Sequence, residues 1–180
     1  MTFKTHLTFG ALFVVSPALI PGNEEWMPTL FKLAPFVVPL TFVGSLFPDL
    51  DHKDSYISKS PLFIFTLFFM MFGITHRGIT HTFFFNALFA GMIYAITTHI
   101  SFLKEYSVFL TEVGALAFLS HLIADSITKS GVNFLYPFSK KRFNTVPSLM
   151  RIKTGTPPEQ VYFFGALFAT TAVLFIAAPL

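Results

Sequence analysis

The sequence predicts an all-α fold, a polytopic transmembrane helical bundle with about five spans, and three observations support this prediction. Hydrophobic residues make up 53% of the 180 positions, and the mean hydropathy is +0.67. Charged residues contribute only 12%, which is about half the fraction found in soluble domains. The hydrophobic residues also fall in long runs rich in Phe, which suit contact with lipid. We therefore expect a single membrane-embedded domain over residues 1–180, with the lipid bilayer as its main partner.

Six apolar stretches define the predicted elements in chain order. They cover residues 7–20, 31–50, 61–74, 82–103, 107–128 and 161–180. A helix needs roughly 20 residues to cross a ~30 Å hydrocarbon core. Four stretches are long enough, and the first reaches this length if its helix begins near Phe3. The stretch 61–74 is too short, and we predict a re-entrant or interfacial helix there, which enters and leaves on one side.

The connection between the last two predicted spans determines the orientation. Its basic residues are Lys129, Lys140, Lys141, Arg142, Arg151 and Lys153. The positive-inside rule places such a loop in the cytoplasm. Counting spans backwards, residues 49–52 and 75–81 also reach the cytoplasmic face. The net charge of only +3, without a basic stripe, gives no reason to expect a nucleic-acid partner.

The first polar cluster is Asp49-Leu50-Asp51-His52, which follows Pro48 at the end of an apolar stretch. Carboxylates near hydrocarbon are costly, so we expect them to be paired, bound to metal or placed in a wet cavity. The alternative interpretation is a solvated turn at the membrane surface.

The second cluster is His76-Arg77-Gly78-Ile79-Thr80-His81. On an ideal helix the two imidazoles would point about 140° apart, so they converge better from a turn, which Gly78 permits. Arg77 adds a cation suited to a phosphate or another oxyanion. The alternative is that Arg77 only anchors the chain at the membrane surface.

The third cluster is the pair His121 and Asp125 within an apolar helix. Their four-residue spacing puts both side chains on one face, where they can bind one metal or hydrogen-bond to each other. The alternative is that His121 and Asp125 hydrogen-bond only to each other and so support helix packing. Glu159 follows Pro157-Pro158 and is interpreted as a helix cap rather than a late ligand. His99 falls at the other end of its helix, where we expect an interfacial residue.

These clusters join His6 on the same predicted face, and the full set exceeds one four-coordinate ion. The predicted metal ligands are His6, Asp49, Asp51, His52, His76, His81, His121 and Asp125. The chain has no Cys, so imidazole and carboxylate must hold any metal. We predict two or three divalent ions, with Zn²⁺ the best fit and Mn²⁺ or Fe²⁺ also suited.

The ordered motifs resemble those of a known family over roughly residues 1–140. They are Thr5-His6-x3-Gly10, Ser45-Leu46-x-Pro48-Asp49-x-Asp51-His52, His76-Arg77-Gly78-x-Thr80-His81 and His121-x3-Asp125-x2-Thr128-x2-Gly131. The family is that of bacterial and archaeal membrane-bound metal-dependent hydrolases, also labelled LexA-binding, inner-membrane-associated hydrolases. The resemblance implies an inner-membrane location and metal-dependent hydrolysis, and the family label alone implies a LexA-type partner. The ligand pattern is also distantly similar to zinc-dependent phospholipase C and P1-type nucleases, which cleave phosphoesters.

The function predicted from these observations is hydrolysis of a phosphoester in a lipid or another amphiphile. Metal ions would lower the pKa of a bound water toward ~7, Arg77 would stabilise charge on the substrate, and Asp51 or Asp125 would act as base. Two alternatives remain open at this point. One is a membrane scaffold with a structural metal, and the other is a divalent-metal transporter with ligands spread through the bilayer depth.

Overall fold

The computed structural model describes residues 1–61, 64, 66, 67, 71 and 77–178. Within this part of the chain the structure is helical, without strands. The α-helices are α1 (Phe3–Val15), α2 (Trp26–Lys32), α3 (Ala34–Leu46), α4 (Phe83–Thr98), α5 (Ser107–Ser126) and α6 (Pro157–Ala177). Short 3-10 helices extend or precede them, including Phe47–Asp51 after α3 and Ile79–His81 before α4.

Helix α5 occupies the centre of the bundle. It packs against α1, α3 and α4, while α6 packs against α1 on the outside. Its inward side chains, such as Val113, Phe118 and Leu122, are fully buried. In contrast, α6 exposes Val161 and Phe168, as expected for a helix whose outer face contacts lipid.

Small residues allow three of these helices to approach closely. A methyl group added at Gly44 of α3 would lie 2.9 Å from the Ala117 Cβ and 3.1 Å from the Gly114 carbonyl oxygen of α5. A methyl group at Gly10 of α1 would meet the Ser45 side chain of α3. Close approach through small residues is typical of helix packing in membranes, and here it brings the polar residues of α1, α3 and α5 together.

The prediction of about five spans was wrong. Of the described helices, two are long and apolar enough to cross a membrane, Lys104–Ser126 and Pro157–Ala177. A third span results only if Trp26–Lys32 and Ala34–Asp51 are counted together, although the chain bends by 98° between them. The helices Phe3–Leu19 and Phe83–Thr98 are apolar but shorter.

The physical reason for this difference is that apolar stretches continue through turns that end the helices. Helix α1 gives way to a 3-10 turn that contains Pro17, whose ring removes a backbone donor. The predicted stretch 31–50 is interrupted at Leu33, and α4 ends at Thr98, before the turn that completes the stretch 82–103. The helix predicted near 61–74 lies largely outside the described residues.

Candidate metal centre

Polar residues from four elements meet at one end of the bundle. His6 comes from the beginning of α1, Asp49 from the 3-10 helix after α3, His81 from just before α4, and His121 and Asp125 from the end of α5. The three imidazoles are fully buried, and 18% of the Asp49 side chain is exposed. Residues far apart in sequence therefore lie close together at this end of the bundle.

The orientation of His121 is determined by the backbone of α3. Its Nδ1 lies 2.7 Å from the carbonyl oxygen of Ser45. A carbonyl can only accept, so Nδ1 carries the proton and donates it. The Nε2 atom is therefore left with a lone pair, and it faces His81 Nε2 at 3.3 Å. A ring with one nitrogen bonded to the backbone and the lone pair of the other directed to the centre is typical of a metal-ligating imidazole.

His81 is oriented in the same way by its own neighbours. Its Nδ1 lies 3.0 Å from the Thr80 hydroxyl and 3.4 Å from Asp51 Oδ2. Its Nε2 lies 3.7 Å from Asp49 Oδ1. Burial lowers the pKa of His81, but the contacts with Asp49 and Asp51 outweigh this effect and raise the pKa to about 9. A metal ion at His81 Nε2 would therefore compete with a proton.

His6 completes the centre on the α1 side. Its ring stacks on that of His121 with 3.7 Å between the ring centroids, and its Nε2 lies 3.4 Å from Asp125 Oδ1. Within the described part of the chain, neither ring nitrogen of His6 has a hydrogen-bond partner. A buried acceptor without a partner is costly, and a cation is a group that would satisfy it.

There are two sets of three residues, and within each set the potential ligand atoms all lie within 4.8 Å of one another. The sets are His6, Asp49 and His121, and His81, His121 and Asp125. They share His121, so the five residues form one centre. Mixed imidazole and carboxylate donors are those that Zn²⁺ and similar divalent ions prefer. The residues present therefore fit the predicted type of metal site.

The remaining predicted ligands lie around this centre. Asp51 is buried behind His81, where it accepts hydrogen bonds from the Thr80 hydroxyl and, at 3.1 Å, from the Arg77 backbone N–H. His52 lines the neighbouring cavity, and neither ligand set among the described residues includes Asp51 or His52. His76 lies outside the described residues, so its predicted role stays a prediction.

Arg77 lies against the centre and has an unusual backbone conformation. Its Nη2 is 2.7 Å from Asp125 Oδ2, and its Nη1 is 3.2 Å from the Thr128 hydroxyl. The Ser130 hydroxyl also accepts a hydrogen bond from Nη1. The φ angle of Arg77 is 61°, in the left-handed region that non-glycine residues rarely adopt. From the sequence we expected Gly78 to permit the turn between His76 and His81. The residue in the left-handed region is instead Arg77.

A cavity of about 500 Å³ connects the centre with the surface. The lining residues that bear on function are Asp49, His52, Asp54, Tyr56, Arg77 and Asp125. The cavity therefore presents two carboxylates of the ligand sets and the Arg77 guanidinium to an incoming molecule.

The sequence alone assigned no role to the residues that orient the ligands. Ser45 acts through its backbone carbonyl, which no side-chain pattern reveals. Thr80 could have been found as a small polar residue directly beside a predicted ligand. The Met1 amino group also contacts Asp125. His99, as expected, lies at the far end of α4 and bonds its own backbone, with Nδ1 2.7 Å from the Ala95 carbonyl oxygen.

Glu159 has a structural role and lies outside both ligand sets. Its Oε1 accepts hydrogen bonds from the Thr2 backbone N–H at 2.6 Å and from the Thr5 hydroxyl at 2.7 Å. Its Oε2 accepts the Gly155 N–H at 2.7 Å. Glu159 thus links the turn before its own helix to the beginning of α1, and the role that its contacts support is structural.

Comparison with known proteins gives the family. The chain matches the family described as YdjM inner membrane protein over residues 1–179. It is 29% identical to the inner membrane protein YdjM of Escherichia coli (strain K12) over 140 residues, which are 76% of this chain and 66% of that protein. It thus spans just under two thirds of that relative's length.

The chain is also 28% identical over 170 residues to the uncharacterized protein YvsG of Bacillus subtilis (strain 168), covering 94% of this chain and 92% of that protein. No solved structure matches the chain. These names state no enzymatic activity. The family name and the name of the Escherichia coli relative describe an inner membrane protein, which agrees with the apolar helices, and the chain belongs to the YdjM inner membrane protein family.

Proposed function

We propose that this membrane protein is a metal-dependent hydrolase that cleaves a phosphoester of a lipid or another amphiphile. The observation that carries the proposal is the convergence of three buried imidazoles and two carboxylates beside an open cavity that also contains a guanidinium group. A closed structural site would not need such access.

His6, Asp49, His81, His121 and Asp125 would hold the metal. When bound, a divalent ion in such a centre supplies a water molecule of lowered pKa and a Lewis acid for a phosphoryl oxygen. Zn²⁺ is the first choice, and Mn²⁺ or Fe²⁺ also suit these donors. Ligand groups at one end of the bundle count against a transport path, which would require polar groups through the bilayer depth.

The protein's own groups have separate roles in this proposal. Arg77 binds the anionic oxygens of the phosphoryl group and stabilises the charge that develops there. Asp49, the more exposed of the two ligand carboxylates, would accept a proton from the attacking water through an oxygen that the metal does not hold. Asp51 contacts Thr80 and His81 on the side away from the ligand atoms, so we assign it the role of positioning His81 rather than that of a base.

A structural metal is the second candidate, because the three imidazoles are completely buried. Turnover distinguishes the two functions. The protein is reconstituted in lipid nanodiscs, stripped of metal, reloaded with Zn²⁺ or Mn²⁺, and given phosphatidic acid or phosphatidylglycerol. Release of inorganic phosphate or glycerol phosphate is then measured together with the metal content.

The proposal predicts metal-dependent turnover that falls by about 10²-fold or more in Arg77→Gln. The metal content of this variant should remain that of the wild-type protein. Lys104→Gln, which removes a cation at the far end of the bundle, serves as the control and should retain activity. Full metal occupancy without turnover of either lipid would instead support the structural role.

A further inference from the structure

The connection between α5 and α6 is a folded unit, which we call the basic lobe (residues 127–156). Val132 and Phe143 exchange two backbone hydrogen bonds, of 3.0 and 2.8 Å. The Lys129 N–H donates to the Ile152 carbonyl oxygen at 2.9 Å, and the Asn144 side chain donates to the Thr128 carbonyl oxygen at 2.7 Å. These bonds fix the shape of the lobe, so the side chains on its surface are presented in a defined arrangement.

All charged side chains of the basic lobe are positive. Its charged residues are Lys129, Lys140, Lys141, Arg142, Arg151 and Lys153. It contains no Asp or Glu, although the flanking positions Asp125 and Glu159 are acidic. Most of these cations are exposed. The surface therefore favours an anionic partner.

The tips of the lobe combine this charge with exposed apolar side chains. Phe138 is 90% exposed and Leu149 is 99% exposed. Leu135 and Met150 beside them are about half exposed. The Tyr162 hydroxyl of α6 donates a hydrogen bond to the Met150 carbonyl oxygen at 3.0 Å. The tip that contains Leu149 and Met150 therefore lies close to α6. Exposed apolar side chains of this kind indicate a surface that lipid or another molecule covers.

We propose that the basic lobe is seated in the headgroup layer of an anionic leaflet, with Phe138 and Leu149 inserted to the acyl boundary. Two observations favour lipid over a protein partner. The lobe joins the same-side ends of α5 and α6, the two helices that are apolar and long enough to span a membrane, so it lies at the bilayer surface. Its mixture of Lys, Arg, Phe and Leu is also the composition by which protein segments bind anionic membranes.

This seating has a consequence for the metal centre. Thr128 and Ser130 of the lobe accept hydrogen bonds from the Arg77 guanidinium, and Thr154 lines the cavity. An inserted lobe would hold the cavity mouth at the level of lipid phosphates. This last step rests on the proposed function, whereas the insertion of the lobe does not.

The absence of Cys from the sequence makes the test direct. Spin labels are attached to Phe138→Cys and to Leu149→Cys, and the proteins are placed in nanodiscs with or without phosphatidylglycerol. Collision rates with oxygen and with a water-soluble nickel chelate then report the depth of each label. Glu24→Cys, in the exposed connection between α1 and α2 at the other end of the bundle, is the matched control.

The expected result is that both tip labels are several-fold less accessible to the nickel chelate than the Glu24→Cys label. Phosphatidylglycerol should increase this protection, and Lys140→Gln with Lys141→Gln should reduce it. Tip labels as accessible as the control in both lipids would overturn the proposal and favour a protein partner. Equal depth with and without anionic lipid would also contradict it. Metal content measured on the same samples reports separately on the metal centre.

Discussion

At the scale of single residues, the centre depends on groups that orient its imidazoles. His81 is held at Nδ1 by Thr80 and Asp51, and His121 is held at Nδ1 by the Ser45 carbonyl. In each ring the other nitrogen is directed to the centre. Partners of this kind raise the basicity of the ligand and fix its tautomer.

We expect Asp51→Asn to weaken metal binding by about 10–100-fold without abolishing it. The substitution removes the charge that supports His81 but leaves all five proposed ligands in place. The measurement is a competition titration with a chromophoric chelator, and Asp54→Asn, an exposed carboxylate beside the same cavity, is the control. Unchanged affinity would contradict the positioning role, and complete loss of metal would make Asp51 a direct ligand.

The residue types of the centre could be predicted from the sequence, but their arrangement could not. His6, Asp49, His81, His121 and Asp125 were all expected to meet, because polar groups in apolar helices need partners. Which polar residues bind the metal and which orient the ligands depends on the directions of the side chains and on backbone carbonyls such as that of Ser45. Asp49 and Asp51 look equivalent in sequence, yet they lie on opposite sides of His81.

At the scale of elements, the centre requires close approach of α3 to α5. Gly44 provides it, since a methyl group there would contact Ala117 of the facing helix at 2.9 Å. Asp49 follows one turn after α3, and His121 lies one turn after Ala117. Any separation of the two helices would therefore move Asp49 away from His121.

Gly44→Ala should destabilise the protein by about 1–3 kcal/mol, because the added methyl group forces tightly packed helices apart. Gly91→Ala in α4 is the matched control, since nothing lies within 4 Å of the position of its new methyl group. That variant should be unchanged or more stable by about 0.5–1 kcal/mol. Unfolding followed by circular dichroism in mixed micelles measures both. Equal stability of the two variants would argue against close packing at Gly44.

The number of spans was the least predictable feature at this scale. Hydropathy detects apolar residues but does not reveal where a helix ends. In the stretch 31–50 the break falls at Leu33, between two apolar helices that meet at a sharp angle. In the stretch 82–103 the last residues form a turn that is also apolar. Turns that contain apolar residues, such as Leu33 and Leu103, are therefore read as parts of spans.

At the scale of the whole molecule, orientation connects the centre with the basic lobe. Both lie at the end of the bundle where α5 finishes and α6 begins. The opposite end carries Glu24 and Glu105. We propose that the first end faces the cytoplasm, as the distribution of Lys and Arg indicates.

Cysteine labelling in cells tests this orientation. A membrane-impermeant maleimide should react with Glu105→Cys in intact spheroplasts, but with Lys141→Cys only after the membrane is permeabilised. Both positions are exposed in the structure, so burial does not limit the reaction. The reverse pattern would place the metal centre on the outer side of the membrane.

The central claim is that residues from four elements form one metal centre, and metal analysis of purified protein tests it most directly. Protein expressed with Zn²⁺ and purified in detergent should contain about one divalent ion or more per chain. His121→Ala and Asp125→Ala should each lose most of this metal, whereas Glu112→Gln, an exposed acid on the same helix, should retain it. A metal-free wild-type protein, or full metal content in both site variants, would contradict the account.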